Sequence, residues 1–188
     1  MNTILKYSTI AIIGLSISSC SGSKEKATNL ISQTQSITID KAINKSINYG
    51  IVYDIDSNAY KTVKIGKYEW FAQNLQSKKL NDGTPINKVS DNKAWLVAKE
   101  PAYCIYNNVD TCSANGFLYN HKAVATKKIC PQGWEVASDS AWVNLSKSLG
   151  GDEKAGIQLK SSGAWTGQEA TNTSGFSALP SGFRENVG

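Results

Sequence analysis

Four cysteines and one histidine carry most of the reactive chemistry that this sequence offers. Cys20 ends an apolar N-terminal run, whereas Cys104, Cys112 and Cys130 lie among polar and aromatic residues further along. His121 lacks the neighbouring histidine or Cys-x-x-Cys spacing of a zinc site, which favours a polar residue at a strand end. The chain has no phosphate loop, dinucleotide-binding glycine pattern or Gly-x-Ser-x-Gly elbow. The sequence therefore predicts no catalytic residue, no metal site and no cofactor.

Oxygen-bearing side chains alternate at Asp54, Asp56 and Asn58, as they do in calcium-binding loops. A calcium loop of that type also needs glycine at its sixth position and glutamate at its twelfth, where this chain has Ala59 and Ile65. The flanking residues alternate between apolar and polar, which indicates a β-hairpin that turns at 56–58. We predict the hairpin, and a calcium site built from distant loops stays open.

The first 19 residues have the features of an export signal. Lys6 supplies a positive charge, and residues 7–17 form an apolar stretch too short to span a bilayer. Ile17-Ser-Ser-Cys20 matches the bacterial lipobox, in which the lipidated cysteine becomes the first mature residue. We predict a signal peptide over 1–19 and a lipid anchor on Cys20 that holds the protein to a membrane. An ordinary signal peptide cut near Ser19 and an uncleaved hydrophobic start are the alternatives.

The residues after Cys20 predict the location of the protein and its tether. Ser21 is not the aspartate that retains some lipoproteins at the inner membrane, so we expect the outer membrane, on its periplasmic face or at the cell surface. Residues 20–48 are rich in Ser, Thr, Asn, Gln and Lys without a sustained hydrophobic period, which indicates a flexible tether. One domain then spans 49–188.

The charge of the chain comes almost entirely from lysine. The formal net charge is +5, and Arg184 is the only arginine among 20 basic residues. Arginine is the residue of bidentate phosphate and base recognition, so its near absence argues against a nucleic-acid partner. The scattered lysines are typical of a solvated surface.

The segment 130–151 contains the best-defined elements of the sequence. Trp134-Glu-Val136 alternates like a short buried strand, and Ser138 is a favourable N-cap for a helix. The apolar residues of that helix fall on one face: Trp142, Leu145 and Leu149. Gly150-Gly151 supplies the positive φ that ends such a helix.

The remaining segments predict short strands and two or three short helices. We expect strands or helices at these places: a hairpin over 51–65, strands within 66–75, 101–106 and 116–121, and helices within 90–98 and 152–160. Strands alternate irregularly with short helices, which is typical of the α+β class.

Ordered motifs from residue 50 to residue 188 carry a family resemblance. They include Ile65–Leu75, Asn81–Ile86, Ala102–Asn107, Gly116–Asn120, Cys130–Trp134, Ser138–Trp142 and Thr171–Pro180. Together these motifs resemble the Fibrobacter succinogenes major paralogous domain, a family of secreted or lipid-anchored proteins. The stretch from Trp134 to Trp142 also resembles formylglycine-generating-enzyme and C-type-lectin-like domains, which implies that irregular α+β fold.

The resemblance carries implications for the cysteines. Cys104 and Cys112 flank a polar loop, and a disulfide between them in an oxidising compartment would contribute up to roughly 2–3 kcal/mol. Members of the family continue beyond the equivalent of Gly188 with closing strands that end near a cysteine. This chain is therefore expected to lack those strands, and Cys130 is expected to be unpaired through loss of its partner. A copper or thiol-nucleophile site is the enzymatic alternative.

Aromatic residues near loops are the candidates for ligand binding, because aromatic faces stack on sugar rings. Trp70, Trp134 and Trp142 lie in apolar patterns and are predicted core residues. The ligand-binding candidates are Trp95, Trp165, Tyr103 and Tyr106. The sequence thus predicts a non-enzymatic envelope lipoprotein whose domain binds a glycan or an envelope protein, in adhesion or polysaccharide attachment. The alternatives are an enzyme related to formylglycine-generating oxidases, a polysaccharide-active accessory, or a structural envelope or filament component.

Overall fold

The computed structural model describes the backbone of residues 3–5 and residues 42–110 and 115–184. Cys20 and Cys112 lie outside the described residues, so the lipid anchor and the Cys104–Cys112 disulfide remain predictions. No helix within the described ranges is long and apolar enough to cross a membrane.

The described residues form short strands and short helices. The strands are β1 (Thr3–Leu5), β2 (Gly50–Tyr53), β3 (Ala59–Ile65), β4 (Tyr68–Phe71), β5 (Asn87–Lys88), β6 (Ala102–Cys104), β7 (Leu118–Tyr119) and β8 (Trp134–Val136). The α-helices are α1 (Asn92–Leu96), α2 (His121–Ala125), α3 (Asp139–Ser148) and α4 (Asp152–Leu159), with a 3-10 turn at Tyr106–Asn108. This mixture confirms the α+β class.

The larger sheet has five strands in the order β2-β3-β4-β1-β8. β2, β3 and β4 are antiparallel neighbours, whereas β1 lies parallel to both β4 and β8. The smaller sheet has the order β5-β6-β7. Tight turns join β2 to β3 and β3 to β4, as the alternation of apolar and polar residues predicts for the hairpin over 51–65 and the strand after it.

The predicted hairpin is confirmed, and its turn is organised by Asp54. One carboxylate oxygen of Asp54 accepts the backbone N–H groups of Asp56 and Asn58, each at 2.9 Å. The other accepts the Asn58 amide at 2.8 Å and the Tyr60 hydroxyl at 2.6 Å. Because protein donors occupy both oxygens, the alternating carboxylates form a turn, in which Ser57 adopts a φ of +64°.

The helix predicted at 139–149 is confirmed with its cap. The backbone N–H of Ala141 donates to Ser138 Oγ at 3.3 Å, and Gly150 and Gly151 adopt φ values of +89° and +95° after the last turn. The helix predicted within 90–98 is α1, and its N-cap is Asp91, whose carboxylate accepts the backbone N–H of Ala94 at 2.8 Å. His121 begins α2 and is exposed, so its predicted place at a strand end is wrong.

Two hydrophobic clusters cover opposite faces of the larger sheet. Trp70 and Phe71 are consecutive residues of β4, so their side chains point to opposite faces and each belongs to a different cluster. The Trp70 cluster comprises Ile43, Val63, Ile65, Trp70, Ala72, Ala141, Leu145, Phe176 and Ala178. The Phe71 cluster comprises Tyr60, Phe71, Leu75, Leu80, Ile86, Tyr103, Ile105, Phe117, Ala123, Ile129 and Cys130. Trp134 and Trp142 pack against one cluster each, as predicted for core tryptophans.

The last residues of the predicted tether belong to the folded domain. Ala42 and Ile43 are buried, and Ile43 is a member of the Trp70 cluster. The Ala42 carbonyl accepts the side-chain amide of Asn172 at 2.9 Å, and Asn44 donates to the Asn172 carbonyl at 2.9 Å. Residues 42–44 thus contact the domain in the described structure, and the domain boundary at residue 49 stays a prediction.

Candidate ligand-binding cleft

The Arg184 side chain connects the C-terminal segment to the start of α1 through hydrogen bonds. Its Nη1 donates to the carbonyl of Val89 at 3.1 Å, and its Nη2 donates to the carbonyl of Ser90 at 3.0 Å. Nη2 also donates to Oδ1 of Asn92, the first residue of α1. No carboxylate among the described residues forms an ion pair with this guanidinium.

The ring of Trp95 supports the Arg184 guanidinium from α1. The guanidinium carbon lies 4.8 Å from the centroid of the indole ring, which is a cation–π distance. The indole is half-buried and does not line the cleft described below. Trp95 therefore positions Arg184 and does not offer a free stacking face.

Two consecutive asparagines turn the chain beside the guanidinium. Asn107 and Asn108 adopt φ values of +52° and +53°, a left-handed conformation that asparagine tolerates better than most residues. The Asn108 amide donates to the carbonyl of Ser90 at 2.8 Å, the same carbonyl that Arg184 contacts. The Asn107 side chain is exposed and forms no hydrogen bond to the described residues. Its amide is thus available to a ligand.

These elements enclose a cleft of about 500 Å³, which we call the Arg184 cleft. Its polar lining consists of Asn92, Asn107, Asn108 and Arg184, and its apolar lining includes Ile105, Leu118 and Phe183. The Phe183 side chain is 61% exposed. The cleft therefore combines amide hydrogen-bonding groups, one cation and one free aromatic face, without a lining carboxylate.

Gly182 shapes the wall behind Phe183. It adopts a φ of +69°, and a Cβ atom at this position would lie 2.1 Å from the ring of Tyr106. The backbone of Gly182 thus lies directly on that ring, and only glycine permits this approach. This contact covers part of the ring of Tyr106, which is half-buried.

The thiol of Cys104 lies at the floor of the cleft but is not activated. Burial raises the pKa of Cys104, and the hydrogen bond from the Arg184 side chain only partly opposes that increase. Burial, together with the negative charge of Glu135, raises the pKa of Cys130 to about 12. Both thiols are free and buried among the described residues. Protonated thiols are poor nucleophiles and poor metal ligands.

Among the described residues, none of the four predicted ligand-binding aromatics lines the cleft. Trp95 contacts Arg184 and Tyr106 contacts Gly182, so both lie beside it. Tyr103 is only 7% exposed, and its ring centroid lies 4.6 Å from that of Phe117, on which it stacks. Trp165 packs against the Trp70 cluster, and its Nε1 donates to the Ala178 carbonyl at 2.8 Å. The sequence analysis did not identify the residues that line the cleft. The single arginine and the Asn107-Asn108 pair were the features of the sequence that could have pointed to them.

A second depression of about 580 Å³ lies beside β3, and its polar lining includes Thr62 and Glu69. The Glu69 carboxylate already accepts the Thr62 hydroxyl at 2.6 Å. Within the described segments, no group of three or more His, Cys, Asp or Glu side chains is placed to hold a metal ion. The Arg184 cleft is the better candidate because its cation has no ion pair, and its Asn107 amide no hydrogen bond, within the part of the chain that the structure describes.

The two small sheets, the short helices and the polar cleft define an α+β domain with a ligand-sized depression. The family model described as the Fibrobacter succinogenes major domain matches residues 63–188, and the chain belongs to this family. Neither the curated proteins nor the solved structures contain a match.

Proposed function

We propose that this protein is a lipid-anchored envelope protein whose domain binds a glycan in the Arg184 cleft, without catalysing a reaction. The observation that carries the proposal is the combination, among the described residues, of a guanidinium without an ion pair, an Asn107 amide without a hydrogen bond and an exposed Phe183 ring. Amides bind sugar hydroxyls, and an aromatic face packs on the apolar face of a pyranose ring. Lipidation at Cys20 supports a role at the outer membrane.

The charge of the cleft favours an acidic glycan over a neutral one. Arg184 donates its hydrogen bonds to carbonyl and amide oxygens, which do not cancel its charge. A sugar carboxylate next to the guanidinium would form a charge-assisted hydrogen bond, about twice as strong as a neutral one. We therefore expect tighter binding to a polyuronate than to a neutral glucan.

The proposal also includes the type of α+β fold that the domain adopts. An irregular C-type-lectin-like or formylglycine-generating-enzyme-like fold is supported by the short strands and by the unit in which β8 leads into the capped helix α3. An experimental structure of the domain, compared with both fold types, tests it.

The test measures retention of the protein on alginate, an acidic polysaccharide, and on a neutral β-glucan. Asn107→Gly removes the free amide but keeps a backbone that accepts positive φ, and Phe183→Ala removes the exposed ring. We expect Asn107→Gly to weaken alginate binding by about fivefold, the value of one hydrogen bond. Phe183→Ala should weaken binding by a similar or larger factor.

Ser57→Gly is the matched control for Asn107→Gly. It also replaces an exposed polar residue of positive φ by glycine, but it lies in the β2–β3 turn away from the cleft. Equal losses for the two glycine variants, or no retention of the wild type on either polysaccharide, would refute the glycan proposal. Product release would support the enzymatic alternative, and stoichiometric co-purification with envelope proteins would support a structural role.

A further inference from the structure

Among the described oxygens that accept hydrogen bonds from Arg184, only that of the Asn92 side chain can gain a charge by a single substitution. Nη1 of Arg184 donates to the backbone carbonyl of Val89 at 3.1 Å, and Nη2 donates to that of Ser90 at 3.0 Å. Nη2 also donates to Oδ1 of Asn92 at 2.5 Å. Backbone carbonyls are neutral whatever the residue, whereas an aspartate at position 92 would present a carboxylate of nearly the same shape to Nη2.

The thiol of Cys104, which also contacts the guanidinium, supplies no negative charge. Burial raises the pKa of Cys104, and the contact with Arg184 opposes that increase only in part. A thiol whose pKa is raised stays protonated and neutral near pH 7. The hydrogen-bond acceptors of Arg184 among the described residues are therefore all uncharged.

The carboxylates that lie close in sequence to the cleft residues have other partners in the described structure. Asp91 precedes Asn92, but its Oδ1 accepts the backbone N–H of Ala94 at 2.8 Å. Asp110 follows the Asn107-Asn108 turn and forms an ion pair of 3.1 Å with Lys88. Outside the described residues, the chain has three further carboxylates: Glu25, Asp40 and Glu185. Glu185 is the next residue after Arg184, so these three are tested separately.

We propose that Asn92 determines the charge selectivity of the Arg184 cleft. Its neutral amide holds the guanidinium in place without neutralising it, so that a glycan carboxylate can supply the counter-charge. This inference rests on the proposed glycan-binding function and assigns the choice of an acidic ligand to one residue. An aspartate at position 92 would form the ion pair that the ligand otherwise forms, and the cleft would keep Asn107 and Phe183 but lose its preference for acidic glycans.

The position of Asn92 determines how large this effect should be. Asn92 lines the cleft and is exposed, so a carboxylate there would both pair with Arg184 and repel a sugar carboxylate. A charge-assisted hydrogen bond is about twice as strong as a neutral one. Water and salt screen a pair at an exposed position, so we expect the selectivity to change about five- to tenfold.

The test measures the affinity of the protein for alginate and for a neutral β-glucan at one ionic strength. Asn92→Asp should lower the ratio of the two affinities about five- to tenfold. Asn92→Ala removes the amide without adding a charge and should keep the wild-type ratio. Asn48→Asp is the matched control, because it makes the same change at an exposed asparagine that does not line the cleft. It should also keep the wild-type ratio.

An unchanged ratio in Asn92→Asp, or an equal decrease in Asn92→Ala or Asn48→Asp, would refute the role of Asn92. The undescribed carboxylates are tested together in the triple variant Glu25→Gln, Asp40→Asn, Glu185→Gln. This variant should keep the wild-type ratio. An increase that is abolished by Arg184→Gln would show that one of these carboxylates, and not residue 92, sets the charge of the cleft, and it would refute the inference.

A measurement without glycan separates this inference from the glycan proposal. Thermal unfolding of Asn92→Asp, Arg184→Gln and the double variant gives the coupling between the two positions. The new carboxylate should stabilise the protein only when Arg184 is present, and the coupling should decrease in about 1 M salt. Absence of coupling would refute the inference whatever the glycan result. No binding of the wild type to either polysaccharide, with the coupling intact, would instead refute the glycan proposal.

Discussion

Replacement of Phe176 by alanine tests whether the irregular C-terminal segment is part of the hydrophobic core. The Phe176 side chain is completely buried, and its ring centroid lies 5.8 Å from that of Trp70 and 5.9 Å from that of Trp142. It therefore connects a segment without regular secondary structure to both β4 and α3. No other residue between 160 and 184 makes ring contacts with two core tryptophans in the described structure.

The expected loss follows from burial and from the cavity that alanine would leave. Removal of a fully buried phenylalanine side chain costs about 3–5 kcal/mol, including the transfer of the ring and the unfilled space. The free energy of unfolding of a domain is about 5–15 kcal/mol, so this loss is a large part of the total. For a domain of about 140 residues, it corresponds to a decrease in Tm of roughly 10–17 °C.

The assay is thermal and urea unfolding followed by circular dichroism, with Phe183→Ala as the matched control. Phe183 lies in the same segment, but its side chain is 61% exposed, so its replacement should change stability by no more than about 0.5 kcal/mol. A loss below about 1 kcal/mol for Phe176→Ala would contradict burial of the segment in the core. Similar losses for the two variants would contradict it as well.

Two further predictions concern titratable groups. Burial by itself would raise the pKa of Asp56, but the backbone N–H of Lys78 and the ammonium of Lys79 outweigh burial and hold the pKa below its ordinary value of 3.8. The contribution of Asp56 to stability is therefore complete above that value and is lost as pH falls through the folded-state pKa. Urea unfolding should show Asp56→Asn less stable by about 1–2 kcal/mol at pH 7, with the difference shrinking towards pH 2; a constant difference would contradict the ionic contacts. Because Cys130 is 2% exposed and its pKa is raised to about 12, its thiol should resist iodoacetamide at pH 8 in the folded protein and react after unfolding in urea, as peptide mass spectrometry would show. Rapid alkylation of Cys130 in the folded protein would contradict its burial.

Local sequence rules predicted the elements whose determinants lie within a few residues of each other. Ser138 caps α3 through the next turn, and Asp54 organises its own hairpin through Asn58 and Tyr60. These contacts span three to six residues, so the pattern of residue types contains them. The cap of α1 could not be assigned in this way, because Ser90 and Asp91 both suit an N-cap and the structure uses Asp91.

The candidate site could not be predicted in the same way, because its contacts join distant parts of the chain. Arg184 lies 95 positions from Val89 and 92 from Asn92, and nothing in the intervening sequence indicates that they meet. The burial of Tyr103 could not be predicted for a related reason. Tyr103 lies in β6, a strand whose three residues are all buried. A strand that is buried on both faces has no exposed face for an alternating pattern of polar and apolar residues to indicate.

The five tryptophans lie in different regions of the protein, so intrinsic tryptophan fluorescence can report on each region. The ring centroids of Trp70 and Trp142 lie 5.1 Å apart in the Trp70 cluster. The ring centroid of Trp134 lies 4.5 Å from that of Phe71 in the Phe71 cluster. Trp95 lies against the guanidinium that borders the cleft, whereas Trp165 lies near the C-terminal segment. Variants that keep a single tryptophan, with phenylalanine at the other four positions, would assign an emission signal to each region. Intrinsic fluorescence can then distinguish a ligand at the cleft from a change in either hydrophobic cluster, without any attached dye.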